Sequence, residues 1–100
     1  MNITIENEGN AIVARLEGRL DTAAAAEMAA DFQALGEQAA KHIILDCKAL
    51  EYISSSGLRL FLSLRKESAA QKGKLQVRAI NDDIRQVFMM TGFISLFEII

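Results

Sequence analysis

The chain has 100 residues, enough for one small domain around a single core and too few for two. Apolar residues make up 51% and charged residues 24%, the profile of a globular fold and not of a disordered chain, and the formal charge of −2 offers no cationic field to a nucleic-acid backbone or an anionic membrane. One cysteine, Cys47, rules out an internal disulfide and one histidine, His42, rules out a histidine-rich metal site, so no metal or other cofactor is expected and a reducing cytoplasm suits the chain. Residues 1–10 alternate polar and apolar side chains instead of forming a targeting leader. No apolar run approaches the roughly 20 residues a membrane span needs.

In chain order, Ile3 and Ile5 alternate with Thr4 and Glu6, turn residues follow over 7–10, and a second strand pattern runs over 11–17 around Ile12, Val13 and Leu16. A hairpin is therefore expected, with Gly18 ending its second strand. Asp21 or Thr22 can cap a helix whose Met28, Phe32, Leu35 and Ala39 recur on one face. The unbroken apolar run His42-Ile43-Ile44-Leu45, ending at Asp46, reads as a strand covered on both faces and central in a mostly parallel sheet.

A loop and a second helix are expected next, apolar nearly all round over 58–64 and polar over 65–72, with Gly73 as its C-terminal cap. Residues 74–79 alternate as a strand nearer an edge. Asn81 caps a third helix with Asp82 and Asp83 in its first turn, Ile84, Val87 and Phe88 facing inward and Gly92 stopping it. The apolar tail 93–100 is expected to dock on the core as a helical turn or a last strand. The fold class is thus α/β: one domain over residues 1–100, with a small, mixed, mostly parallel sheet flanked by helices. Ligands and partners of such sheets meet the carboxyl ends of the strands, which points to the loops after Glu17, Asp46 and Ile80.

One of those loops leads to Ile53-Ser54-Ser55-Ser56-Gly57-Leu58. With Ser54 as N-cap, Ile53 and Leu58 form a hydrophobic staple, and Ser55, Ser56 and Gly57 become the first helical residues. Their amides lack helical partners and sit at the positive end of the macrodipole, which suits an anion such as phosphate. A serine hydroxyl here is a candidate phosphate acceptor, and Gly57 would let a partner's active site come close to Ser56. Plain capping explains the same residues more simply, since serine is a preferred N-cap.

Several segments together resemble a STAS domain of the anti-sigma factor antagonist type: Gly18-Arg19-Leu20-Asp21, Ile44-Leu45-Asp46, Tyr52-Ile53-Ser54-Ser55-Ser56-Gly57-Leu58, Val87-Phe88-Met89-Met90-Thr91-Gly92-Phe93 and Leu96-Phe97. The resemblance implies a non-enzymatic protein whose unphosphorylated form binds an anti-sigma factor serine kinase and frees a sigma factor. Phosphorylation ends the binding, and a metal-dependent serine phosphatase restores it. The accepting serine precedes the glycine, which is Ser56 here, and Asp21 matches an acidic position of the partner-contacting loop. Where the family often carries aspartate two residues before the acceptor, this chain has Ser54, which keeps the cap, loses the charge and makes Ser55 a secondary acceptor.

Arg59 follows Ser56 by three residues, so it can pair with a phosphate or meet an acidic partner, though a solvated surface arginine is the better explanation. Arg19 joins Asp21, Ser54, Ser55, Gly57 and Arg59 as a partner-binding candidate, while Asp21 is explained as well by capping. For Asp46 a loop hydrogen bond is a better explanation than catalysis, Cys47 is read as a small packing residue, and His42 as a surface residue at a strand start.

A serine hydrolase would need a base beside its nucleophile, and His42 enters the strand whose exit leads to Ser56. The serine segment also lacks the glycine of a nucleophile elbow, and no glycine-rich phosphate loop occurs. A receiver domain would need an acidic pair after its first strand, which is absent. The competing role is that of an unphosphorylated STAS subunit of a lipid-transport ABC complex, without nucleic-acid contact or membrane insertion of its own.

Overall fold

The computed structural model describes all 100 residues. The alternating N-terminal segments form β1 (Asn2–Glu8) and β2 (Ala11–Leu20), paired antiparallel around a turn confined to Gly9 and Asn10. From there strands and helices alternate: α1 (Thr22–Gly36), β3 (His42–Ile53), α2 (Ser55–Ala70), β4 (Lys74–Arg78) and α3 (Asp82–Thr91). The apolar tail supplies both forms expected of it, a 3-10 turn at Phe93–Ser95 and the short β5 (Glu98–Ile99). The sheet order is β1-β2-β3-β4-β5, with β2 through β5 parallel and β3 central.

Because each crossover leads to the adjacent strand in the same direction, right-handed connections put all three helices on one face. Burial agrees. Met28, Phe32 and Leu35 of α1, Leu58, Phe61 and Leu64 of α2, and Ile84 and Phe88 of α3 belong to one apolar cluster with Ile12, Leu16, Leu20, Ile43, Leu45, Leu50, Ile53 and Val77 of the sheet. Phe61 is its hub, with ring centroids 5.8 Å from Phe32 and 6.2 Å from both Phe88 and Phe97. On the opposite face Ala11, Val13 and Ile44 form a separate small cluster. The expectation that β3 is central and covered on both faces holds, although Ile44 is buried on a face that carries no helix.

Two other expectations change. Neither Gly18 nor Asp46 ends a strand. β2 continues to Leu20 and β3 to Ile53, and two register shifts, between Arg15 and Glu17 and between Gly18 and Arg19, each leave an extra residue on β3. These bulges break the two-residue period, so the second half of β3 does not alternate like a strand and the buried positions step from Cys47 to Leu50 to Ile53. At the end of α2 the left-handed residue is Lys72, at φ 57°, and not Gly73. The amide of Gly73 donates to Ser68 O at 2.8 Å and that of Lys72 to Ala69 O at 3.2 Å, a Schellman closure. Gly73 is needed because a Cβ there would lie 1.7 Å from the Ala39 carbonyl oxygen. Ala39 itself lies past the end of α1, yet is fully buried in the core.

Candidate functional site

The carboxyl ends of β2 and β3 lie side by side, with Arg19 opposite Tyr52 and Leu20 opposite Ile53. The Ser54 amide continues the ladder by donating to Leu20 O at 2.9 Å, so the starts of α1 and α2 share one edge of the molecule. Asp21 accepts from the Ala24 amide at 2.8 Å and Ser54 Oγ from the Gly57 amide at 3.2 Å, and both residues have the extended backbone of an N-cap. The choice between Asp21 and Thr22 is thereby settled for Asp21. Ile53 and Leu58 are both buried, as a staple requires.

In this arrangement the three serines have different environments. Ser54 is buried, with its hydroxyl engaged in the cap. Ser55 is exposed and Ser56 half-buried, both in the first turn of α2, where their amides have no helical acceptor. A phosphoryl group on either would sit at the positive end of a 16-residue helix. Ser56 is thus partly open to solvent beside the Ser54 cap.

Gly57 is placed differently from the sequence expectation. It is buried, and a Cβ on it would lie 2.8 Å from Leu20 Cγ and 2.9 Å from Ile53 Cγ1. The glycine lets the first turn of α2 seat directly on the ends of β2 and β3, and its missing side chain faces the interior, not an approaching partner. The position thus holds Ser55 and Ser56 against the edge from below.

Around the serines, Arg19 is exposed with its guanidinium carbon 4.4 Å from the Tyr52 ring centroid, a cation–π stack between adjacent strand ends. Tyr52 is 39% exposed and completes the rim; sequence reasoning placed it in the motif without giving it a contact, and only the β2–β3 register shows it. Arg59 is exposed on α2 and makes no ion pair, which leaves it free for an acid from outside. Ser54 and Gly57 are buried and shape the edge, whereas Asp21, Ser55, Ser56, Arg19, Tyr52 and Arg59 are its accessible surface, Asp21 also serving as the cap of α1.

The other singled-out residues lie elsewhere. Asp46 accepts from the Lys48 amide at 2.9 Å within the first bulge and from Arg78 Nη2 at 2.9 Å. Burial alone would raise its pKa, but the Lys48 amide and the Arg78 and Arg15 guanidiniums outweigh that and hold it below the usual aspartate value. Cys47 is fully buried and its thiol is pushed up to about 12 by burial, with Asp46 adding to the shift, so it is inert packing. His42 is half-buried and its Nε2 meets Gln76 Oε1 across β3 and β4, so it is not a free surface residue.

The STAS domain family matches residues 2–100. BtrV of Bordetella bronchiseptica, named as an anti-sigma factor antagonist, is 30% identical over 99 residues, covering 99% of this chain and 85% of BtrV. The anti-sigma F factor antagonist of Paenibacillus polymyxa is 30% identical over 103 residues, covering 99% of this chain and 87% of that protein. Among solved structures, the Bacillus cell fate determinant SpoIIAA in its phosphorylated form superposes with a TM-score of 0.73 at 24% identity, over 99% of this chain and 91% of that one. With the strand order, the capped start of α2 and these matches in agreement along the whole chain, the protein belongs to the STAS domain family.

Proposed function

We propose that this protein is an anti-sigma factor antagonist without enzymatic activity of its own, working in the cytoplasm. Its unphosphorylated form binds an anti-sigma factor serine kinase and so releases the sigma factor. Phosphorylation of Ser56 switches the binding off, and a serine phosphatase resets it. The observation that carries this reading is the Ser56 hydroxyl itself: half-buried, in the first turn of α2, above a capped and staple-held helix start. The two relatives named as antagonists, each aligned over 99% of this chain, support the same role.

The mechanism follows from charge. A phosphoserine adds about −1.5 to −2 charges near neutral pH. The dipole of α2 and the Arg59 guanidinium three residues on stabilise that charge within the protein, so the domain keeps its fold. A docked partner surface would meet it across a desolvated contact, where a new unpaired or like charge costs several kcal/mol on the order-of-magnitude scale of interfaces. Arg19, stacked on Tyr52, and Arg59 give the unmodified edge two guanidiniums for acidic groups of the kinase, while Asp21, Ser54 and Gly57 fix the shape they act from.

Calorimetry with the cognate kinase tests this. Ser56→Ala should bind like the wild type and Ser56→Asp about tenfold or more weakly. Equal affinity for all three would remove the switch from the account.

A further inference from the structure

Away from the serine edge, a groove of about 480 Å³ lies between α1 and α2. Its open apolar surface is supplied by Ala29 and the half-buried Leu60, over the buried core side chains Phe32 and Leu64, and the exposed Glu37 and Glu67 also line it. No Lys or Arg lines it. Residues 21–40 hold Asp21, Glu27, Asp31 and Glu37 and no basic residue. All five ion pairs of the protein involve Arg15 or Arg78, so neither Glu37 nor Glu67 forms one, and Glu67 accepts only a hydrogen bond from Gln71 Nε2 at 3.2 Å.

We propose that this groove is a second docking site, which seats a basic amphipathic helix of a partner protein with its apolar side chains against Ala29 and Leu60 and its Lys or Arg residues on Glu37 and Glu67. The chemistry selects that occupant. An apolar trough between two helices takes the i, i+3, i+4, i+7 anchors of a third helix, and the volume has room for a few such side chains. The two carboxylates exclude an acidic helix by like-charge repulsion and favour a basic one by charge complementarity. The lining begins at Ala29 on α1 and Leu60 on α2, beyond the first turns that carry the serine edge, so the two sites can be filled together.

The test uses two synthetic helical peptides of about fifteen residues with Leu at the anchor positions, one with Lys and one with Glu at the rest. Titration of the Lys peptide into the isotopically labelled full chain should move the amide resonances of 29–37 and 60–71, and the Glu peptide should not bind. Affinity should fall about tenfold in the exposed pair Glu37→Lys with Glu67→Lys, and equally in Ser63→Phe, which fills the groove. The control pair Glu27→Lys with Asp31→Lys reverses the same charge outside the groove and should stay within about twofold of the wild type. The proposal is overturned if the wild type does not bind the Lys peptide, if the shifts centre on the sheet face or the serine edge, if the groove variants bind as tightly as the wild type, or if the control pair loses as much affinity as they do.

Discussion

The two faces of the sheet bury apolar residues by different means. On one, helices close over the strands and the cover is itself apolar, with Phe61 fully buried among Phe32, Phe88 and Phe97. On the other, Val13 and Ile44 lie side by side in register, Val13 fully buried, with no helix above them. Their neighbours are long charged side chains: Arg15 pairs with Glu6 at 2.6 Å, and Arg78 bridges Glu8 at 3.1 Å and Asp46 at 2.9 Å, which ties β4 across the sheet to β1. The stems of such residues shield apolar surface while their heads stay wet. An unbroken apolar strand therefore states that both faces are covered, but not that both are covered by secondary structure.

This contrast predicts unequal costs. Phe61→Ala removes the hub of the helix-covered face and should destabilise by about 3–5 kcal/mol, a large part of the stability of a small domain, as read by chemical denaturation. A loss below about 1 kcal/mol would mean that the aromatic cluster is not the centre of the fold. Next comes Gly57→Ala, at the edge where the helix-covered face meets the serines. In an unconstrained helix that change would stabilise by up to about 1 kcal/mol. Here the added Cβ meets Leu20 and Ile53 below 3.0 Å, so a net loss within the range of about 1–3 kcal/mol for overpacking is expected. A gain in stability would show that the first turn of α2 does not rest on the strand ends.

The open face should respond less to mutation and more to pH. Asp46→Asn keeps the shape and removes the charge that Arg78 and Arg15 hold, at a cost of about 1.5 kcal/mol, the lower end for hydrogen bonds to charged groups. Asp46 and Glu8 both have folded pKa values below their ordinary ones; for Glu8 the cause is the hydrogen bond and charge of Arg78. Depressed carboxylates stabilise the fold above their unfolded pKa, and that stabilisation is lost as pH falls through the folded value. The melting temperature should therefore drop as pH is lowered from roughly 5 toward 3, and the drop should be shallower in Asp46→Asn. An identical acid limb in both proteins would place the sensitive carboxylates elsewhere.

The same contrast explains what could be read from the sequence. Helix starts and the stop of α3 were legible because their causes are local: Asp21, Ser54 and Asn81 each cap an amide three residues ahead, and Gly92 takes the left-handed position. The central place of β3 and the docking of the tail were legible from hydrophobic patterning. What escaped depends on residues distant in the chain. The continuation of β3 past Asp46 was hidden by its bulges, Gly57 is dictated by Leu20, and Gly73 by the Ala39 carbonyl. The site divides in the same way: Ser54, Ser55 and Ser56 announce themselves as a capped helix start, whereas the Arg19–Tyr52 stack exists only through the register of two strands.

The central claim is that Ser56 is the residue whose modification changes the surface of this edge. Mass spectrometry of the intact protein after incubation with its cognate kinase and ATP tests it most directly, followed by peptide mapping. The account predicts one added phosphate, located on Ser56, retained in Ser55→Ala and absent in Ser56→Ala. No phosphate on the wild type, or an undiminished one in Ser56→Ala, would contradict it.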